Sequence, residues 1–191
     1  GRDMQIRHVW NRDGKRQASA NVNNAISHAN GMILKVLFQD DFLNGSSALR
    51  KIHEAMENGG KWLLCGSCVT RDGTALEHPM VPRLTDKLQF GKNTVSSPSV
   101  LAMHRDYVAQ FDETLTWLMD VDIYKRLWDS HGDPVIEPNP LVVNRLHDGQ
   151  VSASVSKELR QKELLYMRSK FSGTTSFRGW LEYLRQHLKA L

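Results

Sequence analysis

The sequence predicts an α/β domain, and three observations carry that expectation. Short apolar runs of strand length alternate with segments whose apolar residues recur at helical spacing. Asn30-Gly31 and Asn58-Gly59-Gly60 are placed to stop two of those helices. The run Gly31 to Leu43, GMILKVLFQDDFL, ends abruptly in Gln39, Asp40 and Asp41. A buried strand emptying into two carboxylates is where open α/β sheets bind ligands.

The elements follow in order. Gln5 to Trp10 is predicted as a short strand, and Asn11 to Arg16 as a turn or loop. Val22, Ala25, Ile26 and Ala29 share a helical face, so Ala18 to Ala29 is predicted as a short amphipathic helix. In the strand that follows, only Lys35 interrupts the apolar residues. Side chains alternate along a strand, so Asp40 and Asp41 need not point the same way. Their oxygens suit Mg²⁺ or Mn²⁺ carried on phosphates. Asn44 to Glu57 reads as a helix that Ser46 or Ser47 can cap, with Leu49, Ile52, His53 and Met56 on one face. Lys61 to Thr70 reads as a strand and Arg71 to Thr74 as a turn.

Ala75 to Lys92 keeps no period and contains Pro79 and Pro82; long irregular stretches in compact domains are usually functional or mobile. Asn93 to His104 is a strand candidate broken at Pro98, and Asp120 to Trp128 is helical. Pro134 to Asn144 carries Pro138 and Pro140, which places it at a sheet edge. Beyond Gly149 the composition shifts to two charged helices, Ser156 to Ser169 and Thr175 to Leu191, broken at Phe171-Ser172-Gly173. On the last, Phe177, Trp180, Leu181, Leu184 and Leu188 form one stripe. The stripe is read as covering the core, with a membrane-surface or oligomer role as the alternative.

Composition bounds the function. With 191 residues, 40% hydrophobic and 24% charged, the chain is long enough for one well-cored domain. No apolar run approaches the roughly 20 residues of a membrane span. A net charge of +4 is compatible with anionic ligands or an anionic membrane. The basic residues are dispersed, so no nucleic-acid partner is expected. Cys65 and Cys68 are the two cysteines, read as free thiols on a strand rather than a redox or zinc pair. Such low cysteine usage fits a cytoplasmic location, with membrane association as the alternative.

Several segments, taken in order, resemble a family 2 glycosyltransferase of the GT-A fold. Asn23-Asn24-Ala25-Ile26, Ala29-Asn30-Gly31 and the strand into Gln39-Asp40-Asp41 resemble the middle of such a domain. Gly91 to Val100 resembles the strand behind the acceptor site. Phe111-Asp112-Glu113, with Trp117 to Leu127, resembles the acidic catalytic helix and its preceding loop. Asn144-Arg145-Leu146-His147, with Ser152 and Ser154, resembles the closing Arg-x-His segment. The resemblance runs from about Asn23 to Ser154. It implies a GT-A-like mixed sheet flanked by helices over residues 1–154, with a helical C-terminal extension over 155–191 packed on it.

It also implies inverting transfer of a sugar from a nucleotide-diphosphate donor to a glycan hydroxyl, assisted by Mn²⁺ or Mg²⁺. Asp120 would be the catalytic base. Asp41 and His147 would bind the metal. Asp40, Asn23 and Arg145 would contact the nucleotide sugar, and Trp117 the acceptor. Asp122 and Arg126, four apart, read as a surface ion pair. The family often has an aspartate where this chain has Phe38 and a glutamate where it has Met119. Members also begin with a further strand-helix-strand unit that holds the base, and this chain is expected to start after it. The alternative is a non-catalytic binding or assembly module on a partial GT-A fold.

Overall fold

A computed structural model describes residues 5–11, 17–147, 149 and 155–190. Its six strands are β1 (Ile33–Lys35), β2 (Phe42–Leu43), β3 (Trp62–Thr70), β4 (Glu77–Met80), β5 (Leu101–His104) and β6 (Val135–Arg145). Its helices are α1 (Ala18–His28), α2 (Ala48–Met56), α3 (Met119–His131), α4 (Lys157–Lys170) and α5 (Phe177–Lys189). The strands form one mixed sheet in the order β1-β5-β3-β6-β2, with β4 paired to β3. β3 and β6 are parallel, and every other pairing is antiparallel. Because β5 opposes both β1 and β3, the strands β1, β3 and β6 run the same way. Their C-terminal ends, leading to Asp41, Thr70 and Arg145, therefore share one end of the sheet.

β3 is the spine. Trp62, Leu63, Leu64 and Cys65 are fully buried and pack with Leu101, Met103, Leu118, Ile123, Tyr124 and Val142. The same core takes in Leu164, Met167 and Phe171 of the α4 region and Tyr183 of α5. Cys65 and Cys68 are free and buried on this strand, and burial pushes both thiols up. Among the described residues no helix is long and apolar enough to cross a membrane.

Six local expectations are corrected. Residues Gln5 to Trp10 form no strand; they run largely exposed beside α1, where Asn11 Nδ2 donates to Asn21 Oδ1 at 2.8 Å, and among the described residues no strand pairs with them. The Gly31 to Leu43 strand shrinks to three residues, with only Leu34 and Val36 buried, because β1 has one neighbour in the sheet. Residues Asn93 to Ser97 are a loop, since Asn93 Oδ1 accepts from the amides of Val95 and Ser96 and takes them out of any ladder. Within the irregular stretch, Glu77–Met80 pairs with β3.

β6 is interior rather than an edge. Its prolines are tolerated because β2 pairs only with Val142 and Val143, leaving the Pro138 and Pro140 portion with β3 alone. The register shifts there against Gly66, where a Cβ would stand 2.5 Å from the Pro138 carbonyl oxygen.

The stripe on α5 is also reversed. Gly179, Glu182 and Tyr183 face the protein, and Phe177, Leu181, Leu184 and Leu188 face solvent. The helix is pressed onto the 86–90 segment through Gly179, whose added Cβ would lie 2.7 Å from the Asp86 carbonyl oxygen. Ser176 fixes that orientation: its hydroxyl donates to Asp86 Oδ2 at 2.7 Å and accepts from the Gly179 amide.

Candidate active site

β1 leaves the sheet through Phe38, whose amide donates to Ser99 Oγ at 2.9 Å, and turns at Gln39 and Asp40. The turn is closed by the Asp41 amide donating to the Phe38 carbonyl at 3.1 Å. Beside it a cleft of about 990 Å³ lies between α1 and the 33–41 segment, reaching Val69, Ser97, Asn144 and Leu146. Asp40 Oδ2 lies 3.1 Å from His147 Nε2, and both side chains are partly exposed. Water screens so exposed a pair, so an incoming ligand displaces it at little cost.

Asp41 turns to a second group. Ser97 Oγ lies 3.0 Å from Asp41 Oδ2 and 2.9 Å from Asn144 Oδ1, so one hydroxyl proton serves two acceptors. Asn144 Nδ2 and Ser67 Oγ each reach Ser96 Oγ at 2.8 Å. Ser96 has φ +109°, a strained value for a non-glycine residue. Its carbonyl accepts from Asn93 Nδ2 at 2.9 Å, and the same amide group donates to Asp120 Oδ2 at 2.7 Å. Asp41 and Asp120, far apart in the sequence, are thus joined through one five-residue loop, Asn93 to Ser97. Tyr124, from α3, holds that loop by donating to the Ser97 carbonyl at 2.9 Å.

Asp120 sits in the first turn of α3, which starts at Met119 after Leu118. Its Oδ1 accepts from the Val121 amide at 2.7 Å. Burial pushes its carboxyl up to about 6; hydrogen bonds from Val121 and Asn93 oppose the shift, and the nearby Glu163 charge adds to it. Glu163 comes from α4 and is itself buried. Its carboxylate accepts from the backbone amides of Thr116 at 2.7 Å, Trp117 at 3.0 Å and Leu118 at 2.8 Å. The Leu118 amide is a donor that the start of α3 leaves over, the other two belong to the loop before it, and an acidic side chain there also suits the helix dipole. Nothing in the sequence marks Glu163: it is one acid among several on a charged helix.

The other expected residues are divided. His147 and Asp40 meet, and Asp41 and Asp120 meet the same loop. Trp117 lies just before α3, with the Arg160 guanidinium 5.0 Å over its ring. Arg145 ends β6 with its guanidinium 5.9 Å from the Phe42 ring. Asn23 is turned away from the cleft. Its Nδ2 donates to the Phe111 carbonyl and to Glu113 Oε1, each at 2.9 Å, and its Oδ1 accepts from the Phe111 amide at 2.7 Å. This buried amide, with both N–H groups and one oxygen lone pair engaged, clamps the 111–113 loop. Ser152 and Ser154 lie outside the described residues.

Asp122 and Arg126 are no surface pair. Asp122 is fully buried, with Arg126 Nε at 2.8 Å from Oδ2 and Lys170 Nζ at 2.7 Å from Oδ1. Lys170 also holds Asp112 at 2.6 Å. Lys35, the one charge in the first apolar run, lines the cleft and donates to the carbonyls of Val36 and Ser99. Burial pushes its ammonium down to about 8, against the pull of Cys65 and Asp41.

Carboxylates such as Asp40 and Asp41 are the donor type that a divalent cation carried on a diphosphate takes, though here they face different partners, His147 and Ser97. Mg²⁺ or Mn²⁺ in such sites takes one or two protein carboxylates and fills its shell with phosphate oxygens and water. Asp40, Asp41 and His147 supply that kind of donor at one end of the sheet. Among the described residues no group of three His, Cys, Asp or Glu side chains could hold a metal ion unaided. No protein-family model matches the chain, and no curated protein matches it.

Proposed function

We propose that the chain is a GT-A-like domain that transfers a sugar, with inversion, from a nucleotide-diphosphate donor to an acceptor hydroxyl. One observation supports this above the others. A carboxylate after β1 and a carboxylate at the start of α3 are tied to one strained loop beside a cleft at the ends of parallel strands. The two carboxylates at the ends of that path, Asp41 and Asp120, are ones to which the family resemblance gives roles.

In this reading the donor diphosphate lies by Asp40, Asp41 and His147, with Arg145 toward its phosphates. Bound Mn²⁺ or Mg²⁺ would stabilise the charge on the leaving diphosphate. Asp120 takes the proton of the acceptor hydroxyl as that oxygen attacks the anomeric carbon. The bond from that carbon to the diphosphate breaks and its electron pair leaves with the phosphate. A base poised near 6 is mostly ionised at pH 7 yet close enough to the working pH to accept a proton. Trp117 offers an aromatic face for the acceptor sugar.

The test is nucleoside diphosphate release from a panel of uridine and guanosine diphosphate sugars with Mn²⁺. The wild type is expected to release nucleotide. Asp120→Asn should slow release by roughly 10²–10⁴-fold, and Asp41→Ala should abolish the Mn²⁺-dependent release. Equal release by Asp120→Asn would overturn the assignment of the base. Silence of the wild type across the panel would favour a non-catalytic module.

A further inference from the structure

We propose that α5 is a docking helix for an anionic membrane surface, lying in the plane of the interface. Phe177, Leu181, Leu184 and Leu188 follow one another at spacings of four, three and four, which aligns them along one side of a helix. They are 77%, 50%, 49% and 69% exposed. The opposite side, Gly179, Glu182 and Tyr183, is the one used against the protein. The apolar stripe therefore has no partner within the described residues.

The two flanks of the stripe say what covers it. On one side stand Arg178, Arg185 and Lys189, all exposed. The only acid on the helix, Glu182, is buried and lies 3.6 Å from Arg185, so no carboxylate faces outward from α5. On the other side is Trp180, with the Arg168 guanidinium of α4 5.1 Å over its ring. Apolar residues between a basic flank and a tryptophan are what an interfacial helix presents to anionic headgroups and the acyl chains beneath them. The chain's net charge of +4 acts in the same direction.

A second copy of the chain is a poorer occupant. The helix has 13 residues, about 20 Å of length, and is roughly 10 Å wide. That footprint is far below the roughly 800 Å² per partner of a stable interface, and antiparallel pairing would bring the basic flanks of both copies to one seam. A membrane needs no such area from a single partner and neutralises those cations.

The measurement is co-sedimentation of the full chain with two kinds of vesicle. One is phosphatidylcholine alone, and the other is phosphatidylcholine and phosphatidylglycerol in equal parts. Binding to the anionic vesicles, weakened by added salt, is expected, with little binding to the neutral ones. Leu181→Asp with Leu184→Asp should lower binding at least tenfold while leaving the circular dichroism and melting temperature unchanged, since both side chains already face water. Arg178→Glu with Lys189→Glu should do the same. Failure of the wild type to bind anionic vesicles would overturn the proposal, as would undiminished binding by the leucine variant. Self-association in sedimentation equilibrium that the leucine variant abolishes would assign the stripe to a second copy instead. None of these outcomes depends on catalysis.

Discussion

Asp120 and Asp122 stand two residues apart on α3 and are treated in opposite ways. Asp122 is fully buried, and two cations, Arg126 and Lys170, meet its two oxygens. Asp120 is partly buried, and no cation among the described residues pairs with it. Its partners are an asparagine amide and a backbone amide. A neutralised carboxylate joins α3 to α4 and to the Asp112 loop. A carboxylate left without a counter-charge is held at a cost, and such costs gather where a side chain has work to do beyond holding the fold.

The largest effect should come from the neutralised site. Asp122→Ala removes the buried carboxylate that Arg126 and Lys170 share, leaving Lys170 to Asp112 and Arg126 to the Gln110 carbonyl, and breaking such a buried pair costs about 3–5 kcal/mol. Urea unfolding should show that loss; a change below about 1 kcal/mol would mean that α3 and α4 are held together by apolar packing alone.

At Asp120 the sign is different. Its folded carboxyl is raised from the ordinary 3.8 to about 6, so the native state binds the proton more tightly than the unfolded chain. Stability should therefore fall as pH rises from about 4 to 6, by on the order of 3 kcal/mol for about two pH units. In Asp120→Asn that portion of the slope should vanish. A variant with the wild-type slope would place the desolvated carboxyl elsewhere.

A smaller effect is expected where α4 touches the same helix start. Glu163→Gln keeps one acceptor and turns an amide toward backbone donors, leaving some of the Thr116, Trp117 and Leu118 amides unmet. The cost is about 1–3 kcal/mol. Because the Glu163 charge also pushes Asp120 up, the Asp120 midpoint should drop in this variant. An unchanged midpoint would uncouple the C-terminal helices from the site.

What the sequence made legible divides along the same line. Local patterns gave α1, β3 and α4 to within a residue at each end, and α3 to within three, because their period and stops lie in or beside them. The placement of Asp40 and Asp41 after a strand was readable for the same reason. Relations between distant segments were not. Pro138 and Pro140 pointed to an edge, and only the short reach of β2 shows how an interior strand carries them. The apolar stripe of α5 pointed to the core, and only Gly179 against Asp86 shows that the other side is buried. Glu163, Asn93 and Asn144 gave no signal as single residues, since their roles exist only in three-dimensional partnership.

The most direct test of the Asp120 assignment is a carbon-detected NMR titration of its side-chain carboxyl, read in the intact chain. A midpoint near 6 is expected from burial without a cation beside it. A midpoint near 4, the ordinary value for an aspartate in water, would contradict it and leave Asp120 as an acidic residue that merely suits the first turn of a helix.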